Sequence, residues 1–343
     1  MNQSDFVRIV ESNRAILAGS QGSIWMQRFA PDVATSQNEM LLFLKPEITS
    51  DSKVDLTRVL VTLSDALSRY SVSIVASGVI GSNYLARHEI VAAHYGVINA
   101  ISRRGREALS DQARAKLDFE FANQLKAGAS VLGGHQFIER YPWFSADALG
   151  VLWDNLNVGS LKLAPGTYAM PLQVIFDAVV LLNGFHPQQL AHFVAPKRSI
   201  IVFAVRANTS WHALRQDMIG DTDPTKAAGG SLRRTFLEKQ SELGMAVVNK
   251  GLNGIHLSAG PLEGMVELMR FCSDYDQDAR INVQQTAFGR MLLAQGLSNS
   301  EVTSLLDNPI LNVSGKSLSV FDATEAMDSS DAAKLLKVVI HPR

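Results

Sequence analysis

Apolar residues recur along the chain in two rhythms, and these divide it before any chemistry is considered. Across residues 4–29, Phe6, Ile9, Val10, Ile16 and Leu17 return at roughly helical spacing and predict a helical preface. Residues 30–38 read as a polar connection. Met40-Leu41-Leu42-Phe43-Leu44 is a short, continuous apolar run closed by Lys45-Pro46. A buried strand fits it, because proline cannot donate to a sheet ladder and ends the run. Leu56, Val59, Leu60, Leu63 and Leu67 share one face of a helix predicted over 54–70. Residues 71–79 alternate into a second strand, and residues 81–95 return to helical spacing through Leu85, Ile90, Val91 and Tyr95.

The middle of the chain carries weaker rhythm. Residues 112–125 look helical until Gly128, Gly133 and Gly134 interrupt them. A helix is expected to start at 143–148, a loop or hairpin at 159–167, and a buried helix over 171–182. Residues 199–205, Ser-Ile-Ile-Val-Phe-Ala-Val, are the clearest strand, because β-branched residues crowd there. Ser210 is a suitable N-cap for a helix through Met218. After the turn Gly220-Asp221-Thr222-Asp223-Pro224 come two further strand expectations, 245–248 and 253–257, and a helix over 261–271. The tail, 298–343, predicts helices at 301–306 and 330–338.

Composition narrows the class. The chain has 343 residues, 46% hydrophobic and 19% charged, enough for about two domains or one enlarged one. A net charge of −1 shows no global basicity, so nucleic acid is not indicated and an anion site has to be built locally. The single cysteine, Cys272, rules out an intrachain disulfide framework, fits a reducing compartment and suits a core position. The first residues lack the basic and apolar regions of a signal peptide, and the apolar stretch after Met170 is interrupted by Asp177 and Asn183. The expectation is a cytoplasmic chain without a membrane span.

Candidate chemistry gathers near the end of this reading. A neutral imidazole can attack phosphorus if one ring nitrogen is held by an acceptor. His256 is the candidate nucleophile, and Glu267, on the following helix, is spaced to hold it. Lys45, Arg215, Thr222, Arg233 and Asn253 can donate to a transferring phosphoryl group, and Tyr95 can add a donor from a helix end. Each residue has an ordinary alternative: a structural histidine, solvated arginines, a simple turn. Their joint order lifts the chemical reading. Two motif fragments carry less. His88 and His94 are six apart, not the four that puts two zinc ligands on one helix face. Val313-Ser314-Gly315-Lys316-Ser317 lacks the first glycine of a phosphate-binding loop, Ile310 standing there, so a turn between strands is expected.

Taken together, these residues resemble the nucleoside diphosphate kinase family. The match runs through Lys45-Pro46 (with Glu47 where aspartate is usual), His94-Tyr95, Arg215, the loop 220–224 with one extra residue before Thr222, Arg233, Asn253-x-x-His256-x-Ser258 and Glu267. The resemblance implies an α/β (α+β) chain with a ferredoxin-like antiparallel sheet covered by helices. It divides the chain into an N-terminal helical extension (1–39), a kinase-like core (40–105 and 183–275), a large helical insertion (106–182) and a C-terminal extension (276–343), with a smaller insertion at 237–250. It implies ping-pong transfer of the terminal phosphate of a nucleoside triphosphate to a nucleoside diphosphate through phosphohistidine at His256. Glu267, Lys45 and Ser258 belong to the catalytic set; Lys45, Tyr95, Arg215, Thr222, Arg233 and Asn253 bind nucleotide or phosphate. Phe185 or His186 is the aromatic near the base. Mg²⁺ is carried by the nucleotide phosphates, with no protein metal cage, and the protein is expected to be a homo-oligomer. The alternative is a catalytically silent nucleotide-binding or assembly protein on the same fold.

Overall fold

The computed structural model describes residues 1–19, 22–31, 38–155, 159–313 and 315–342. It is a mixed α/β protein of two compact units: Met1–Tyr84 with Pro196–Arg343, and Leu85–Ala195. In chain order the described strands are β1 (Ser23–Gln27), β2 (Asn38–Leu44), β3 (Ser73–Gly81), β4 (Ser130–Gly133), β5 (Leu161–Ala164), β6 (Thr167–Val174), β7 (Asp177–Leu182), β8 (Ser199–Ala207), β9 (Ile255–Leu257), β10 (Ile310–Val313) and β11 (Lys316–Ser319). No described helix is long and apolar enough to cross a membrane.

The first unit is built on an antiparallel sheet in the order β1-β3-β8-β2-β9. Every residue of β2 and β8 is buried, which is why Met40–Leu44 and Ile200–Val205 within them read as unbroken apolar runs instead of alternating ones. The pleat then sorts their side chains. Leu42, Leu44, Ile201, Phe203, Ile255 and Leu257 enter a core with Ile9 and Ile16 of the helix Gln3–Leu17 and Val59, Leu60, Leu63 and Leu67 of the helix Leu56–Arg69. Phe43 and His256, opposite each other in the β2–β9 register, face the other way, and Phe43 stacks on Phe271 of the helix Pro261–Phe271. That helix has a second apolar face: Leu262 and Met265 join Phe288, Leu292, Val302 and Leu336 from the C-terminal helices in a separate core.

The second unit holds a sheet in the order β4-β7-β6-β5, parallel between β4 and β7 and otherwise antiparallel. Val180 and Leu182 pack with Ile101, Leu117 and Phe121. Val179 and Leu181 turn to Phe137, Tyr141 and Leu149. The insertion at 106–182, expected to be helical apart from a loop or hairpin at 159–167, is mixed: the helices Asp111–Glu120, Gly134–Arg140 and Ala146–Asn155 stand beside four strands, with the β5–β6 hairpin at the expected place. The same finding overturns the helix expected over 171–182, which is the β6–β7 hairpin, closed at Val174 and Asp177. Both faces of β7 are covered, so its periodicity is hidden. Pro171 is accommodated because β5 pairs with β6 only from Thr167 to Ala169.

Other boundaries move for local reasons. The preface ends as a helix at Leu17, and Gly19, at φ 82, precedes β1. The helix expected over 81–95 is divided into Ser82–Arg87 and Ile90–His94 by Glu89, at φ 50. Residues 245–248 form no strand: Met245 and Val248 both enter the core, and a spacing of three cannot place two residues on one face of a strand. Strand β9 is limited to Ile255–Leu257 because Gly254 sits at φ 79. Part of the polar connection at 30–38 and Ser314 of the discounted loop lie outside the described residues; Gly315 and Lys316 belong to the β10–β11 turn and strand.

Candidate active site

The site is framed by the backbone where β9 leaves β2. Lys45 N–H donates to the Gly254 carbonyl at 2.9 Å, and Gly254 N–H donates to Glu47 Oε1 at 2.9 Å. A Cβ at Gly254 would lie 2.7 Å from Ile48 Cδ1, so this tight crossing requires glycine for space as well as for its φ. Two residues on, the imidazole of His256 stacks on Phe43 with centroids 4.5 Å apart and planes at 20°. Its Nε2 is 2.8 Å from Glu267 Oε1. The other carboxylate oxygen of Glu267 accepts from Ser258 Oγ, and Ser258 Oγ also accepts from Leu41 N–H at 2.9 Å. Glu267 is 1% exposed. With Glu267 ionised, Nε2 carries the ring proton and Nδ1 the lone pair, which is the state a nucleophile requires. Ser258 therefore orients the carboxylate that orients the ring.

Cations gather beside this pair. Lys45 Nζ donates to Asn253 Oδ1 at 2.7 Å, and Asn253 Nδ2 donates to the carbonyls of Thr222 (3.0 Å) and Lys250 (3.2 Å). Buried Asn253 thus ties the lysine to the turn 220–224, while Thr222 itself offers its carbonyl inward and is exposed. Arg233 donates to Gly220 O at 2.9 Å and Ile255 O at 3.1 Å, and its Nε is buried without a hydrogen-bond partner among the described residues. Arg215 donates through Nη1 to Ala259 O at 3.0 Å and to Glu325 Oε1 at 2.6 Å.

The electrostatics join these groups into one neighbourhood. Burial pushes Lys45 down to about 8; Glu47 opposes this and Arg233 adds to it. Burial also pushes Arg233 down to about 10, with Arg215 adding and Asp221 opposing. Lys45 therefore feels the charge of Arg233, and Arg233 that of Arg215, an arrangement that an anion would relieve. Glu263, one helical turn before Glu267, is pushed up to about 8 by burial and then by Glu267; Arg215 opposes the shift, while Glu325 and Asp322 add to it.

His256, Glu267, Ser258, Lys45, Asn253, Arg233 and Arg215 thus meet in the first unit. Tyr95 and Phe185 belong to the second. There the Tyr95 ring lies 5.9 Å from that of His186, and Phe185 packs on Trp153 at 5.6 Å and Tyr168 at 6.0 Å. His186 is buried, with its ring nitrogens on Gln189 and Asn99. Cys272 is buried and its thiol is held well above its usual range, as suits a core residue. Sequence reasoning placed Glu47 in the Lys45-Pro46 motif without giving it a role, and missed Phe43, Glu263 and Glu325. Glu263 was within reach, being four residues before Glu267 on one helix; nothing in the sequence marked Glu325. No protein-family model matches the chain, and no curated protein matches its sequence.

Proposed function

We propose that this protein is a nucleoside diphosphate kinase-like phosphotransferase. A nucleoside triphosphate binds with its terminal phosphate toward His256. The Nδ1 lone pair attacks phosphorus, the bond from phosphorus to the bridging oxygen breaks, and the nucleoside diphosphate leaves with that electron pair. A terminal oxygen of a second nucleoside diphosphate then attacks the phosphohistidine and the N–P bond breaks, restoring the imidazole. Glu267 keeps the proton on Nε2 and balances the charge that develops on the ring. Lys45, Arg215 and Arg233 stabilise the charge on the moving phosphoryl group; Asn253 positions Lys45. Lys45, Arg215 and Arg233 are cationic and suit phosphate oxygens better than a bare ion, so Mg²⁺ would arrive held by the nucleotide phosphates and would supply charge neutralisation there.

One observation carries this reading: an imidazole clamped by Phe43 and the Ser258-held Glu267 stands at the sheet edge beside the backbone that receives Lys45 and Arg233, and the buried Arg233 Nε has no hydrogen-bond partner among the described residues. The strand order supports it. In β2, helix, β3, β8, helix and β9, the four strands lie β3-β8-β2-β9, which is consistent with a ferredoxin-like βαββαβ core in which the second unit lies between the second and third strands. The glutamate on Arg215 favours a second reading, nucleotide binding without turnover, because it offsets one of the cations.

Incubation with γ-³²P-labelled ATP separates the two. The wild type should form an acid-labile, base-stable phosphoenzyme, lost in His256→Ala, and should convert GDP to GTP. Labelling that survives His256→Ala would sink the assignment, and nucleotide binding without exchange would select the silent reading.

A further inference from the structure

Arg215 is fixed from one end only. Nη1 makes both of its hydrogen bonds, to Ala259 O and Glu325 Oε1, while Nε and Nη2 have no acceptor among the described residues. Its planar fork therefore presents an open edge, the geometry that binds a phosphate through two parallel N–H groups. Arg233, held at both Nη atoms by carbonyls, lies close enough to depress its own proton affinity through Arg215.

The residue that holds this end comes from far along the chain. Glu325 lies between the helices Val320–Thr324 and Ser329–Ile340, and the chain around it is pinned on both sides. Ala326, in a left-handed conformation at φ 56, donates to Ala259 O at 2.9 Å, so that carbonyl serves both Ala326 and Arg215. Asp328 Oδ1 accepts from Trp211 N–H at 2.7 Å and Asn38 Nδ2 at 3.0 Å. Ser329 N–H donates to Asn38 Oδ1 at 2.9 Å. At Gly260 a side chain would collide with the Thr324 carbonyl, so the approach of this segment is built into the sequence on both strands of the crossing. A carboxylate delivered by so constrained a segment is a fixed prop for the guanidinium, not a loose plug.

We infer that Glu325 is a positioning residue: it holds Arg215 so that the open edge of the guanidinium faces the anion. The identity of that anion as a nucleotide phosphate rests on the phosphotransferase reading; the positioning itself does not. The two simple views of a carboxylate beside a cation predict opposite signs. Pure charge cancellation, or a plug to be displaced, means that removing Glu325 tightens anion binding. Positioning means that removing it weakens binding, because Arg215 must then be ordered by the ligand itself.

Calorimetric titration of the full chain with inorganic pyrophosphate, at low ionic strength, tests the sign. Glu325→Gln and Glu325→Ala should weaken pyrophosphate about three- to tenfold, the scale of a half-exposed ion pair. Glu325→Asp should recover part of the loss, and Glu325→Gln should add nothing to the loss in Arg215→Ala. In ATP–GDP exchange, Glu325→Gln should raise KM with kcat changed less than about twofold, a split that general unfolding would not produce. Thermal melts check that each variant is folded, and the isosteric glutamine decides the matter if the alanine variant is not. Unchanged or tighter pyrophosphate binding in Glu325→Gln, additive losses with Arg215→Ala, or no binding by the wild type would each overturn the inference. Pyrophosphate binding that depends on Glu325 without phosphohistidine formation would leave it standing and remove the phosphotransferase reading alone.

Discussion

At the scale of single residues, two carboxyl groups on one helix meet different hydrogen-bonding surroundings. Glu267 is fully enclosed but receives hydrogen bonds from Ser258 and the His256 ring. Glu263, four residues earlier, has no such partners among the described residues; burial and the adjacent Glu267 raise it from 4.5 to about 8. At neutral pH it therefore keeps its proton, which spares the helix a second negative charge beside Glu267. The linkage has a definite sign. Between 4.5 and about 8 the folded chain binds a proton at Glu263 that the unfolded chain has released, so this group lowers stability as pH rises through that window and contributes no penalty below it. Glu263→Gln should remove the penalty. Melting curves should show the variant gaining a few degrees over wild type at pH 8.5 and almost nothing at pH 4.5. A uniform shift at both pH values would show that packing, not ionisation, is responsible.

At the scale of elements, the β6–β7 hairpin shows what limits a reading by periodicity. The run that became β2 was legible because it is short, continuous and closed by proline, and the run that became β8 because β-branched residues crowd it. Residues 171–182 are equally apolar but have no glycine or asparagine at the bend; the turn is made by Ile175, at φ 51, followed by Phe176. A β-branched residue in the left-handed region costs about 1–2 kcal/mol, so the sequence hid its turn behind a residue that disfavours one. Ile175 is 70% exposed and Phe176 95%, so little burial offsets that cost. Ile175→Gly should therefore stabilise the second unit by up to about 1 kcal/mol, after the entropic cost of glycine is deducted. Urea unfolding followed by a probe in residues 85–195 would register this as a higher midpoint; a lower one would mean that the exposed side chains make contacts that stabilise the fold.

At the scale of the whole chain, most of the candidate site was legible because its residues fall in an ordered series from Lys45 to Glu267, and that series survives folding as proximity within the first unit. What was not legible is the part supplied by residues 276–343, which read as an appendage and instead closes the structure. Glu325 reaches Arg215, and Leu336 shares a core with Leu262. The deepest link is Glu39. On β2 it faces Arg206 on β8, with Oε1 accepting from Arg206 Nε at 2.7 Å and Nη2 at 2.6 Å, while Oε2 accepts from Ala287 N–H at the start of the helix Ala287–Ala294. The side chains are 2% and 7% exposed, so neither charge has water to fall back on. Alone, the pair contributes little net stability over an apolar replacement, but breaking it strands a buried charge at roughly 3–5 kcal/mol. Arg206→Met should lower the unfolding free energy by that amount and also speed amide exchange at Ala287, because Glu39, without its counter-charge, would turn toward solvent and release the helix start. Glu39→Gln combined with Arg206→Met should recover much of the loss, since the amide can still accept from Ala287. If Arg206→Met costs less than about 0.5 kcal/mol, the pair does not join the sheet to residues 276–343, and the dependence of the site on that segment would have to be carried by Glu325, Asp328 and the shared core alone.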